Sequence, residues 1–350
     1  MKIGLYGMPT AGKTHILDRI DFLDVVEGSK MLRKIWPDFD SRDETGKNLA
    51  RKELADMLKD KESFIMDGHY AFGDEIAFTE SDGELYDIIL YLYVSPDVIV
   101  KRMQESEKNR KYLNYDIENW QKTEMEQLRA YCHSHKKDFY ILDNPPENLF
   151  DDVTEALDFI RDVISGFSCL SFAKSCVVKI LDLCKSDTVV LMDGDKTLTM
   201  EDSSHAVFGY KTSIFDGNFY TGYQSWKQSR EFANYQFDDL ERLPVGINKH
   251  VLDCVTPDTY VLTSGHERIW SFISKQLRIP FFCGKQMASE TKLYVTMLLQ
   301  EAGKHVVAYG DGMNDYYMLK QANEGYLVRK ADGTISRSLI GKDMEGLIIV

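Results

Sequence analysis

TVVLMDGDKTLT, residues 188–199, sets an apolar run directly against two carboxylates one residue apart, Asp193 and Asp195. As packing this is poor, because paired charges repel and lose hydration when buried. A chain that tolerates it must use the charge. Three later stretches supply partners: SGH at 264–266, a lysine at 292, and GDGMND at 310–315. Each follows or closely precedes an apolar run. In a parallel sheet such residues gather at the C-terminal edge, where open α/β sheets bind ligands. Carboxylates at Asp193, Asp195, Asp311 and Asp315 would form a cluster relieved by a hard cation such as Mg²⁺. One of them could then attack phosphorus while another moves protons.

The order D-x-D-x-T (Asp193, Asp195, Thr197), a strand ending in Ser264-Gly265, Lys292 in a helical stretch, and G-D-x-x-x-D (Gly310, Asp311, Asp315) resembles the haloacid dehalogenase superfamily of phosphohydrolases, in its phosphoserine-phosphatase-like branch. The resemblance covers about residues 187–350. It implies that Asp193 is the nucleophile that forms an aspartyl-phosphate, and that Asp195 protonates the leaving oxygen and later activates water. It implies that Thr197, Ser264, Gly265 and Lys292 hold the phosphoryl group. Asp193, the backbone carbonyl of Asp195, and Asp311 would bind Mg²⁺, supported by Asp315. The aromatic-rich segment at about 200–256 lies between the first two motifs, so it resembles this branch's helical cap. Glu201 or Asp202 falls near the position where the branch uses a glutamate on its substrate. His266 stands where the branch commonly has a second glycine. Phe215, Phe219, Tyr220, Tyr223 and Trp226 are expected mostly to form the cap's own small core.

Toward the N-terminus the same texture recurs. KIGLY (2–6), FLDVV (22–26), SFIMD (63–67), YDIILYLYV (86–94) and FYILD (139–143) alternate with polar, helix-like stretches. After NPPENLFDD (144–152) and two helical stretches, TVVLMD (188–193), TYVLTS (259–264), IPFFCG (279–284), HVVAYGD (305–311) and EGYLV (324–328) repeat the pattern. Alternation of this kind predicts parallel sheets with crossover helices. The expected fold is α/β, with two tandem doubly wound parallel-sheet domains. Residues 1–150 form a P-loop domain, 151–186 a helical linker, and 187–350 a Rossmann-like phosphatase core with an inserted cap.

Gly7-Met8-Pro9-Thr10-Ala11-Gly12-Lys13-Thr14 fits G-x-x-x-x-G-K-[ST], after the strand KIGLY and before the helical stretch THILDRIDF. Glycines let backbone N–H groups wrap a phosphate, Lys13 reaches the β- and γ-phosphates of ATP, and Thr14 offers a hydroxyl to Mg²⁺. Asp67 ends the third strand, where a carboxylate could hold the metal through water. Arg102, Lys108, Arg110 and Lys111 form a basic run that could close over transferring phosphates, or a solvated helix face. His69 reads as a structural or supporting residue. Together these features resemble the adenylate-kinase-like nucleoside monophosphate kinases. That resemblance implies nucleotide contacts from Gly7, Thr10, Ala11, Gly12, Lys13, Thr14, Arg102 and Arg110. It places Ser29 and Arg33, with Asp67, near the acceptor. Lys30 stands where many of those kinases carry an acidic residue.

Composition narrows the partners. A net charge of −14 over 350 residues is a poor match for phosphodiester backbones, so nucleic acid is possible but not favoured against a small phosphorylated substrate and ATP. Cysteines at 132, 169, 176, 184, 254 and 283 show no CxxC pair and read as buried thiols of a reducing compartment. No apolar run approaches membrane-spanning length, and a cytoplasmic location is expected. Three functions remain open at this level. One is an ATP-dependent kinase fused to a Mg²⁺-dependent phosphomonoesterase. A second resembles the phage-type polynucleotide kinase–phosphatases, although EGSKMLR (27–33) lacks their aspartate-x-x-arginine pair. The third is a phosphatase regulated by a nucleotide-sensing P-loop.

Overall fold

The computed structural model describes residues 1–143, 153–236 and 240–350, and the chain divides into two compact units, Met1–Phe167 and Ser168–Val350. The division falls inside the 151–186 stretch. Helix Thr154–Ile164 buries Leu157, Phe159, Ile160 and Val163 in the first unit, where Phe159 meets Tyr140 edge-on at 5.3 Å. Helix Cys169–Leu183 buries Ala173, Cys176 and Ile180 against Leu191 and Leu262 in the second. NPPENLFDD lies outside the described residues.

The first unit is built on β1 (Lys2–Tyr6), β2 (Val25–Val26), β3 (Phe64–Asp67), a small antiparallel hairpin β4 (Ala71–Phe72) and β5 (Glu75–Ile76), then β6 (Ile88–Tyr93) and β7 (Asp138–Asp143). Its sheet runs β2-β3-β1-β6-β7, with every pairing parallel. Strands covered on both faces read as unbroken apolar runs, and Ile88–Leu92 are all buried accordingly. Leu5 pairs with Asp67, so the loops after β1 and β3 leave the sheet side by side. The helix after β1 is shorter than THILDRIDF predicts. It spans Lys13–Leu17 and tightens into i→i+3 bonds from Arg19 to Ile16 and from Ile20 to Leu17.

The second unit contains β8 (Thr188–Asp193), β9 (Thr259–Thr263), β10 (Phe281–Cys283), β11 (His305–Gly310), β12 (Glu324–Leu327) and β13 (Leu347–Ile349), ordered β10-β9-β8-β11-β12-β13 and parallel throughout. β8 is central. Asp193 pairs with Leu262, and Met192 with Tyr309, so β8, β9 and β11 end together. The segment between β8 and β9 carries helices Ser203–Phe208, Gly222–Phe232 and Lys249–Leu252. Tyr223 and Trp226 are buried within it, whereas Phe215 and Tyr220 stack at 4.9 Å along a cavity wall. Only some of the thiols match the expectation of burial: Cys132, Cys169 and Cys176 are buried, Cys184 and Cys283 are partly so, and Cys254 is exposed. Among the described residues no single helix is long and apolar enough to cross a membrane.

Candidate active sites

In the second unit the strand ends converge as the motif order requires. β8 delivers Asp193, which is 7 % exposed, and the chain then turns sharply through Gly194–Leu198 with Lys196 in the left-handed region (φ 62°). Helix Ser289–Glu301 is buried along most of its length and carries Lys292 in its first turn, wholly inaccessible to solvent. The Lys292 ammonium donates to Asp193 Oδ1 at 2.5 Å and to Asp315 Oδ1 at 2.7 Å. Burial would lower the Lys292 pKa, but Asp193 and then Asp315 outweigh it and hold the group charged. Burial, then the neighbouring Asp315, pushes Asp193 well above the usual carboxylate range against the lysine's pull.

Asp315 does more than receive the lysine. Its Oδ2 accepts from the backbone N–H groups of Asp311 and Gly312, at 3.2 and 3.3 Å. Both of its oxygens are therefore engaged in holding Lys292 and the loop after β11. Among the described residues Asp311 forms no ion pair with a lysine, and burial followed by Asp315 raises it to about 7 against the weaker pull of Lys196 and Lys292. Asp193, Asp311 and Asp315 each offer an oxygen within 4.8 Å of the others. Oxygen-only ligands with uncompensated negative charge fit Mg²⁺. Asp193 and Asp311 would hold it, steadied by Asp315.

Asp195 turns toward the cap. Its Oδ1 accepts from Ser203 N at 2.9 Å, and burial, then Asp202, lifts it to about 6. Thr197 Oγ1 is buried with no hydrogen-bond partner among the described residues. Ser264 Oγ donates to the Met287 carbonyl and accepts from Asn314 Nδ2 at 3.0 Å. Gly194 and Gly265 make room for one side chain, since a Cβ on either would strike the Trp270 indole at 2.3 or 2.4 Å. A cavity of about 270 Å³ has Asp193, Asp195, Ser264, Gly265, Asp311 and Asp315 in its walls, whereas Thr197 and Lys292, both fully buried, are not among its lining residues.

Of the cap candidates, Asp202 lines the cavity and Glu201 does not. Glu201 Oε2 accepts from Gly246 N at 3.1 Å, while Asp202 caps helix Ser203–Phe208 and pairs with Lys196 at 3.1 Å. His266 packs among cap rings, 5.1 Å from Phe208 and 5.3 Å from Phe232, and is not in the cavity wall. Sequence reasoning passed over Lys196, Ser204, Asn314, Lys330, Ser336 and Ser338, all of which line the cavity. Only Lys196 and Asn314 lie inside the quoted motifs, so only they carried a signal.

In the first unit, Gly12 adopts φ 100° and Thr10 φ 68°, the left-handed turns that wrap a phosphate loop. Lys13 is 5 % exposed and donates to the Gly7 carbonyl at 2.6 Å, with His69 Nδ1 at 3.4 Å. Burial lowers Lys13 to about 8 despite Asp67, and burial followed by Lys13 keeps His69 neutral. Thr14 is exposed at the start of the helix. Arg102 donates to the Thr10 and Ala11 carbonyls at 3.0 and 3.1 Å, so it braces the loop. Arg110 instead donates to Gln104 on its own segment at 2.8 Å.

Asp67 Oδ1 accepts from Gly28 N at 3.0 Å, which ties β3 to helix Gly28–Ile35. Arg33 on that helix is held by Asp40 through bonds of 2.7 and 3.0 Å, Ser29 is exposed, and Lys30 pairs with Glu27. A buried carboxylate that the sequence reading missed, Glu124, accepts from Tyr91, Trp120 and the Ala71 backbone. Burial raises it to about 7.

No family model and no curated protein matches the chain. Solved structures similar to it include a shikimate kinase from Acinetobacter baumannii in complex with shikimate (17 % identity, TM-score 0.34, covering 46 % of this chain and 93 % of that one). A substrate-bound phosphoserine phosphatase is similar at 13 % identity and TM-score 0.32, over 48 % of this chain and 94 % of its own. A HAD family hydrolase from Salmonella enterica serovar Typhi gives 13 % and 0.28, over 47 % and 68 %.

Proposed function

We propose that the second unit is a Mg²⁺-dependent phosphomonoesterase and that the first is an ATP-dependent phosphotransferase acting on a nucleotide or small phosphorylated metabolite, in the cytoplasm. One observation carries the phosphatase reading: a solvent-free lysine clamps Asp193 at the end of a central strand, with Asp195 two residues on. Asp193 attacks phosphorus, the ester P–O bond breaks, and the leaving oxygen takes its proton from Asp195. Water activated by Asp195 then releases phosphate from Asp193. Lys292, the orphaned Thr197 hydroxyl and the Ser264 loop bind the phosphoryl oxygens. Mg²⁺ would supply charge neutralisation at Asp193 and Asp311.

The experiment compares the parent with Asp193→Asn on p-nitrophenyl phosphate, with Mg²⁺ and with excess chelator, and on labelled ATP with a panel of acceptors. Turnover in the parent alone, lost on chelation, is expected. Label leaving ATP for an acceptor in the Asp193→Asn protein supports the kinase half. Label that never leaves ATP favours a nucleotide sensor instead.

A further inference from the structure

Helix Ile117–Ser134 follows the basic run of the first unit and turns Glu124 into the core, where it is wholly inaccessible to solvent. Among the described residues this carboxylate forms no ion pair, and three neutral donors hold it instead. Oε2 accepts from the Tyr91 hydroxyl at 2.7 Å. Oε1 accepts twice, from the Trp120 indole at 3.0 Å and from the Ala71 backbone N–H at 3.2 Å. A carboxylate in a dry core is costly even with its lone pairs satisfied. As packing alone, an apolar residue facing a phenylalanine at 91 would fill the place more cheaply.

The two donors on Oε1 belong to different parts of the nucleotide site. Ala71 closes the turn at 67–71, whose other end is fixed by the Gly28 N–H on Asp67 and by the Gly68 N–H on the Leu5 carbonyl. Between these ends His69 Nδ1 lies 3.4 Å from the Lys13 ammonium. Trp120 seats the segment before it: its ring meets Tyr112 at 5.5 Å and Tyr115 at 5.7 Å, and the Lys111 ammonium lies 4.9 Å over the Tyr112 ring. The same two tyrosines rest on the hairpin that follows Ala71. Phe72 and Tyr112 stack at 6.5 Å, and a Cβ at Gly73 would strike the Tyr115 ring at 2.5 Å. One carboxylate oxygen thus fixes both the turn beside the phosphate-loop lysine and the indole that carries the basic run.

We propose that Glu124 is a positioning residue for phosphoryl transfer, holding the turn at 67–71 and the basic run at 108–111 in one register about the phosphate loop. This rests on the phosphotransferase reading above. Glu124 acts through Ala71 and Trp120, its bonded neighbours. Phosphoryl transfer leaves the protein little covalent chemistry and depends on placement, so a shift of about 1 Å can cost on the order of 10²-fold in rate. ATP affinity depends chiefly on the phosphate loop, which Arg102 braces from elsewhere. Loss of Glu124 should therefore fall on kcat and spare KM for ATP.

The test follows label from ATP to a panel of acceptors in the full chain carrying Asp193→Asn, well below each variant's melting temperature. Glu124→Leu is expected to lower kcat at least about tenfold with KM for ATP within about threefold. Glu124→Gln should recover most of kcat although the charge is gone, because its amide oxygen still accepts from Ala71 and Trp120. Tyr91→Phe, which frees only Oε2, should lower the melting temperature and leave kcat within about threefold. Trp120→Phe keeps a ring and removes the donor, so it should share the kcat loss and decides the matter if Glu124→Leu does not fold. An unaltered kcat in Glu124→Leu or Trp120→Phe overturns the proposal, as does Glu124→Gln as slow as Glu124→Leu, or Tyr91→Phe as slow as either. A parent that labels no acceptor overturns the phosphotransferase reading and this inference with it.

Discussion

Lys13 of the phosphate loop donates to the carbonyl of Gly7, six residues earlier in the same loop, at 2.6 Å. The ammonium thus commits its shortest hydrogen bond to the loop itself, and a nucleotide competes with that carbonyl for the lysine. Phosphate does so easily, being doubly charged where the carbonyl is neutral. Lys13→Ala is expected to weaken ATP binding at least about tenfold, read by calorimetry. Unchanged affinity would remove Lys13 from the nucleotide site.

Asp195 is assigned the proton of the leaving group. Asp195→Asn should slow hydrolysis of an alkyl phosphate by about 10²–10⁴ while slowing p-nitrophenyl phosphate much less, because nitrophenolate leaves without help. Equal loss on both esters would argue that Asp195 only shapes the loop.

Lys292 is expected to matter for folding as well as for chemistry. Lys292→Met strands Asp193 and Asp315 in a dry site, and breaking one side of a buried pair costs about 3–5 kcal/mol. Urea titration should show a loss of that order in the second unit. A loss below about 1 kcal/mol would mean that water reaches the pair.

Ser204 offers a test with opposing signs. Its hydroxyl lines the small cavity, is 2 % exposed, and has no hydrogen-bond partner among the described residues. An unsatisfied buried hydroxyl costs about 1–3 kcal/mol, so Ser204→Ala should raise the melting temperature. If the hydroxyl serves substrate, the same change should raise KM with little effect on kcat. A higher melting temperature with unaltered KM would leave Ser204 without a part in binding.

Far from the active site, Asp258 accepts from the N–H groups of Lys185 and Ser186 at 2.9 Å each, pinning the entry to β8 beside β9. The Ser186 side chain, then the Lys185 backbone N–H, holds its pKa below the ordinary carboxylate value. A depressed folded pKa adds stability that is complete above the unfolded value of about 4 and disappears as pH falls through the folded one. Asp258→Asn should therefore destabilise the protein most at neutral pH, with the cost shrinking as pH falls below about 4. A destabilisation that is flat with pH would locate the effect in geometry rather than charge.

Much of this was legible in the chain because both sheets are parallel. A strand covered on both faces must be apolar throughout, so VVLM and IILYL announce themselves, and the polar residue closing each run marks the ligand edge. The strand at Leu347–Ile349 escaped notice because, as an edge, it is partly exposed, and the Ala71–Ile76 hairpin is too short to show a period. Arg33 illustrates a different limit. The resemblance to the monophosphate kinases places it near the acceptor, and only the structure shows that Asp40, seven residues on, pairs with its guanidinium. Ser204 belongs to no motif. It matters only because the cap brings it beside the strand ends.

Trp270 sets terms for how this protein can change over generations. One indole fills the space that side chains at 194 and 265 would need, so the loop bearing the nucleophile and the loop after β9 rest on a shared support. Any residue larger than glycine at either position needs a smaller residue at 270 and a shift of Thr263 or Asp195 besides, and a smaller residue at 270 alone leaves a void beneath both loops. The three positions are therefore sterically coupled, and substitutions at them should not add independently. A lineage that departs from this arrangement has to pass through a less stable intermediate, or change two positions at once.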